Sequence, residues 1–131
     1  VVNGEIQKPI TDYRDLDVWN ESMNLAVDLY AVTRAFPREE MFGLTAQIRR
    51  ASVSIAANIA EGYGRHQTKP FIQFLRVAQG SLKALETLVR LSERVGLLED
   101  EAATNAMLRC ERIGKMLVGL VRKLVAKEDR M

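Results

Sequence analysis

The chain has 131 residues, of which 47% are hydrophobic and 27% charged, with eight glycines and three prolines. That composition excludes a disordered chain and fits one globular domain, able to bury about two-thirds of its unfolded surface. A formal net charge of +2 names no partner, and the single cysteine, Cys110, excludes an intramolecular disulfide.

The residues before about Tyr13, with Pro9 among them, read as an N-terminal tail (1–12), and 13–131 as one helical domain. A helical pattern begins near Asp15, with Asp15, Asp17 and Glu21 suited to the positive end of the helix dipole. Trp19, Met23, Ala26, Leu29, Tyr30 and Thr33 keep three-four spacing until Phe36-Pro37 stops the helix. A second helix is predicted from about Glu40 to Gly62-Tyr63-Gly64, where glycine can supply a left-handed cap. Its core stripe is Leu44, Ile48, Ala51, Ile55 and Ile59, with Asn58 on the edge as a register-fixing amide.

Thr68 is the expected N-cap of the third helix, with Pro70 tolerated in its first turn. Phe71, Phe74, Leu75, Ala78, Leu82, Leu85, Val89 and Ser92 form its stripe, which runs to Gly96. Gly80-Ser81 interrupts it with small residues that suit a closely packed neighbour, at a helix-propensity cost of about 1 kcal/mol for the glycine. The fourth helix opens on Glu99-Asp100-Glu101 and closes on Arg122, Lys123 and Lys127. Its seam is Ala103, Met107, Cys110, Gly114, Leu117, Val121 and Leu124. No strand pattern competes. Short joints make neighbouring helices antiparallel, so the expected fold is all-α, an up-down-up-down four-helix bundle.

Helix two carries a second apolar face, Ala46, Val53, Ala57 and Ala60, opposite its core stripe. Helices three and four, at about 26 residues each, should reach roughly 40 Å, whereas the first two reach nearer 30 Å. A two-sided helix and an overhang both call for a neighbouring chain. The expectation is a homo-oligomer in which Ala46, Val53, Ala57 and Ala60 form the interface.

Residues that carry chemistry are sparse. Gly62-Tyr63-Gly64-Arg65 lacks the lysine-serine/threonine ending and the preceding strand of a phosphate loop. His66 is the lone histidine, so neither a zinc site nor a di-metal bundle with paired Glu-x-x-His motifs can be assembled. Nothing in a short polar joint would orient His66 for a Ser-His-Asp site. Cys110 reads as a small core residue, and Trp19 and Tyr30 as core aromatics. The expectation is no catalytic residues, no metal and no cofactor.

Charge is uneven along the chain. Residues 1–42 carry four basic and eight acidic groups, whereas residues 43–80 carry Arg49, Arg50, Arg65, Lys69 and Arg76 against Glu61 alone. Such an island is either an ordinary solvated face or a stripe for phosphate backbones. Few aromatics are free to stack bases, which disfavours a single-strand reader. The lone cysteine, the absence of a charged-then-apolar leader and an uncharged run (Ala51 to Ala60) too short for a bilayer point to a cytoplasmic protein without a membrane partner.

Three stretches resemble a known family: "YRDLDVWNESMNLAVDLY" (Tyr13 to Tyr30), "FPREEMFGLTAQIRRASVSIAANIAEGYGR" (Phe36 to Arg65) and "FIQFLRVAQGSLKALETLVRLSERVGLL" (Phe71 to Leu98). Together they are similar to the four-helix-bundle family named for proteins encoded in intervening sequences of 23S ribosomal RNA. The resemblance implies a ring-like homopentamer and no established catalytic residues. Similar accessory proteins of diversity-generating retroelements are basic pentamers that engage nucleic acid and a reverse transcriptase, which implies RNA or DNA and a nucleic-acid-processing protein as partners. The net charge of this chain is weaker than theirs.

Two readings follow. One is a non-catalytic homo-oligomeric bundle that binds structured RNA or DNA through Arg49, Arg50, Arg65, Lys69 and Arg76. The other is an oligomeric protein-interaction scaffold with no nucleic-acid affinity of its own. A small-molecule-binding bundle or enzyme is a distant third.

Overall fold

The computed structural model describes residues 9–131. Four helices account for most of it: α1 (Asp17–Thr33), α2 (Leu44–Tyr63), α3 (Thr68–Arg94) and α4 (Asp100–Asp129), with single 3-10 turns at Tyr13–Asp15 and Arg38–Glu40. No strand occurs among the described residues. α1 packs on α2, α2 on α3, α3 on α4 and α4 back on α1, while the diagonal pairs do not approach. With joints as short as residues 64–67 and 95–99, adjacent helices pack antiparallel, which is the bundle that the spacing predicts.

Residues 1–8 of the expected tail lie outside the described residues. Thr11 and Asp12, also assigned to the tail, are tied into the first turn. The Asp15 carboxylate accepts from the Thr11 and Asp12 amides at 3.0 and 3.1 Å, and Asp12 accepts from the Arg14 amide at 2.9 Å. This is a capping box. The Arg14 side chain, bonded to Asp12, holds that carboxyl down at about 2.

α1 buries a face that shares only Ala26, Leu29 and Thr33 with the stripe its spacing suggests. Val18, Ser22, Leu25, Ala26, Leu29 and Thr33 are buried, whereas Trp19 is half-buried and Met23 and Tyr30 are exposed. Two stripes compete on this helix, and the winning one contains polar residues. Ser22 and Thr33 can be buried because their hydroxyls donate to the Val18 and Leu29 carbonyls, each at 2.7 Å.

α2 begins at Leu44, later than expected, because residues 38–40 form their own turn. The Glu40 carboxylate then accepts from the Leu44 amide at 3.2 Å. Ile48, Ile55 and Ile59 are core, as predicted, while Leu44 and Ala51 sit at its edge. The glycine cap at the other end is not found. Gly64 is right-handed, and the left-handed residue is His66 at φ 57°. Gly62 serves a different need: a Cβ there would stand 2.6 Å from Cβ of Phe74 and 3.0 Å from the Phe71 ring. Only a glycine lets α3 pass so close.

α3 starts at Thr68 itself, with Gln67 in the cap position and no side-chain cap bond. Its stripe is buried as predicted except for the half-buried Phe74. Gly96, at φ 83°, ends it, and the Leu97 and Leu98 amides return to the Ser92 carbonyl at 2.9 and 3.2 Å. Of the Gly80-Ser81 pair, Ser81 does face a close neighbour, but a Cβ on Gly80 would meet nothing within 4 Å. In α4 the buried set is Ala103, Ala106, Cys110, Ile113, Leu117 and Val121. Met107, Gly114 and Leu124 are half-buried flanks of that seam, not its centre.

The length difference is real. α1 and α2 have 17 and 20 residues, and α3 and α4 have 27 and 30. At the helical rise these correspond to roughly 25, 30, 40 and 45 Å.

Candidate functional site

The five basic residues of the 43–80 stretch do not share one surface. Arg49 turns in toward α1. Its Nε donates to Thr33 Oγ1 at 3.0 Å and its Nη2 to the Tyr30 carbonyl at 3.3 Å, with the guanidinium 4.5 Å from the Tyr30 ring centroid. A cation bonded at the carboxyl end of α1 is a structural cap. Arg50 is exposed on the outer side of α2. Arg65 lies at the α2–α3 joint, 5.0 Å over the Phe74 ring and 3.7 Å from Glu61. Lys69 begins α3 and reaches Glu128 of α4 at 3.6 Å. Arg76 donates to Gln79 Oε1 at 3.3 Å and lines a hollow that it shares with residues of α4.

Arg76 belongs to a larger feature. Between α3 and α4 lies an open cleft of about 890 Å³. Lys83 and Arg90 stand on its α3 wall and Lys115 and Arg122 on its α4 wall, while Gly80, Gly114 and Gly119 keep its sides shallow. A hollow of about 420 Å³ continues it toward Arg76, sharing Gln79, Val118 and Arg122. Arg76, Lys83 and Arg90 recur every seven residues, as do Lys115 and Arg122, so each row repeats at about 10 Å along its helix.

On the α3 wall the accompanying acids sit lower than the bases, whereas on the α4 wall Glu111, 63% exposed, lies 3.5 Å from Lys115. Lys83 pairs with Glu86 at 3.2 Å and Arg90 with Glu93 at 3.0 Å; the two bases are 76% and 49% exposed, each acid 20%. The outermost layer of the α3 wall is therefore cationic. Net charge summed along the chain hides this, because an acid three residues on cancels the base in the count. The seven-residue recurrence was the available signal.

A second concave surface lies outside α1 and α2. Val53, Ala57 and Ala60 form one wall of a groove of about 490 Å³, and Trp19, Met23, Val27 and Tyr30 form the other. Three of the four expected interface residues thus share one surface. Ala46 is half-buried and does not line it. Trp19, Met23 and Tyr30 of the α1 wall are side chains that the spacing assigned to the core.

No nucleophile or metal cluster emerges among the described residues. Cys110 is fully buried, and burial, with Glu86 adding to it, pushes its thiol up to about 12. It stays protonated at neutral pH and is a poor nucleophile. His66 is exposed and meets Tyr63 edge-on at 6.1 Å. No three His, Cys, Asp or Glu side chains among the described residues gather as metal ligands, and no described helix is long and apolar enough to cross a membrane.

A family model described as 23S rRNA-intervening sequence protein matches residues 14–119. Among solved structures, the chain is similar to the crystal structure, at 1.70 Å resolution, of a protein with unknown function from the S23 ribosomal protein family of Bacteroides thetaiotaomicron VPI-5482. The two are 24% identical and superpose with a TM-score of 0.75, over 80% of this chain and 95% of the other. A likeness at that identity speaks for the fold alone. Among curated proteins none matches the chain.

Proposed function

The chain belongs to the 23S rRNA-intervening sequence protein family, and from that premise we propose a non-catalytic, homo-oligomeric bundle that binds the phosphate backbone of structured RNA or DNA. The assembly is a pentamer on the family resemblance. The observation that carries the nucleic-acid reading is the pair of cationic rows, Arg76, Lys83 and Arg90 on one side and Lys115 and Arg122 on the other, flanking the α3–α4 cleft. Such rows supply sequence-independent affinity, and an oligomer repeats them so that weak contacts add. Arg65 and Lys69, at the joint where α3 begins, extend the same field. Arg50 is a peripheral contributor, and Arg49 contributes little because α1 holds it.

The test is fluorescence anisotropy with long RNA and long duplex DNA across a salt series. Affinity should depend little on sequence and fall steeply with salt. Changing Arg76, Lys83 and Arg90 together to glutamine should reduce the slope of log affinity against log salt by roughly two to three, while the sedimentation coefficient stays unchanged. Changing Arg65 and Lys69 should have a smaller effect. Absence of binding to either polymer at low salt would leave the interaction-scaffold reading, which the exposed apolar groove on α1 and α2 favours.

A further inference from the structure

The joint between α1 and α2 carries an unusual side chain. Phe42 is 91% exposed, beside Met41 at 51%. This is not a loose loop. The Glu40, Met41 and Gly43 amides bond back to the Pro37, Arg38 and Glu40 carbonyls at 2.9, 3.1 and 3.0 Å, and the Glu40 carboxylate caps the Leu44 amide at 3.2 Å. A phenyl ring is thus displayed on an ordered turn, a form in which docking costs little conformational entropy. No described residue covers it.

We infer that Phe42, with Met41 beside it, is the anchor by which one copy of this chain docks into the α1–α2 groove of another. The groove offers what the anchor lacks: an α1 wall with Trp19 at one end and Tyr30 at the other, facing the small apolar wall of Val53, Ala57 and Ala60. Anchor and groove are different patches, and every chain carries one of each. A head-to-tail contact between identical chains requires that arrangement.

Charge agrees with a second copy as the occupant. The end of the groove beside Tyr30 is cationic, with Arg34 lining it and Arg49 lying over the Tyr30 ring. The turn that presents Phe42 carries Arg38 and Glu39, both exposed, and Glu40, so its acids outnumber its one base. Opposite charges then meet when the ring enters at that end. The position also fits. The anchor and the cationic end of the groove both lie where α1 finishes and α2 begins, so rotation about an axis along the bundle could join them without a shift along that axis.

This inference rests on the homo-oligomer part of the proposed function and adds residues that the sequence pattern did not single out. Sedimentation velocity on the full chain tests it, with circular dichroism as the check on folding. Because Phe42 is exposed, Phe42→Glu should fold normally and dissociate, with the dissociation constant raised on the order of 30-fold or more. Ala57→Glu, which blocks the groove, should do the same. Mixing the two variants is decisive. One keeps its groove and the other its anchor, so together they should form 1:1 pairs that neither forms alone. If the unmodified chain assembles but Phe42→Glu assembles equally well, or if the mixture stays monomeric, the inference fails and the oligomer reading survives. A monomeric unmodified chain at tens of micromolar (a concentration at which contacts of ordinary affinity are filled) overturns both.

Discussion

α3 is packed on two sides, and its two seams are built in opposite ways. Toward α2 the seam is closed by small and hydrogen-bonded residues. Gly62 lies under Phe71 and Phe74, the Ser54 and Ser81 hydroxyls meet at 2.8 Å, and Asn58 donates to the Ser54 carbonyl at 2.8 Å. Toward α4 the seam opens into a cleft of about 890 Å³, and added Cβ atoms on Gly80 or Gly119 would meet nothing within 4 Å. The same residue type, glycine inside a helix, closes one seam and widens the other. Each such glycine costs about 1 kcal/mol relative to alanine. At Gly62 close packing offsets that cost; at Gly80 and Gly119 nothing among the described residues does.

The strongest way to break the comparison is to fill the closed seam. Gly62→Val would push a branched side chain into the position 2.6 Å from Cβ of Phe74. Overpacking of that kind costs roughly 1–3 kcal/mol, and here it must exceed the gain in helix propensity. Urea unfolding at one fixed protein concentration should give a lower midpoint with an unchanged slope. A neutral or stabilised Gly62→Val would mean that α2 and α3 do not approach as closely as described.

A smaller effect is expected from the hydroxyl pair. Ser54→Ala or Ser81→Ala alone removes one partner of a part-buried bond and should cost about 1 kcal/mol. The double change should cost less than the sum of the singles, because it leaves no hydroxyl without its partner. Strict additivity in that cycle would show that the two hydroxyls do not interact.

The sequence was legible where one physical requirement dominated. The α3 stripe was read almost residue for residue because no second stripe competes on that helix. α1 was misread in part because burying Ser22 in place of Met23 depends on its hydroxyl bonding to its own helix, at the Val18 carbonyl, which hydropathy spacing does not register. The left-handed cap was assigned to glycine on propensity, yet Gly62 is needed as empty space and His66 takes the strained conformation. Of the candidate site, the spacing identified Arg76 and the second face of α2. It missed Lys83, Arg90, Lys115 and Arg122, since only the packing of α3 against α4 places their rows across one cleft. Arg49 was read as surface, and its bonds to Thr33 and Tyr30 depend on how α1 meets α2.

The open seam supplies the finest test, because there the same kind of change has the opposite sign. Gly80 is exposed, and an alanine methyl in its place would contact nothing within 4 Å. No clash opposes the gain in helix propensity, and the unfolded chain loses conformational freedom as well. Gly80→Ala should therefore stabilise the chain by about 0.5–1 kcal/mol, and Gly119→Ala on α4 by a similar amount. The two sites share no contact, so the double variant should show the sum of the two gains. The methyl adds no charge and leaves Arg76, Lys83 and Arg90 in place, so the salt slope of nucleic-acid binding should not move. A rise in the urea midpoint with an unchanged salt slope would show that these glycines serve neither the packing of the bundle nor the charge of the cleft. If Gly80→Ala instead destabilises the assembled protein but not its dissociated Phe42→Glu form, the α3–α4 seam is filled by another chain, and the contrast between the two seams holds only for the single subunit.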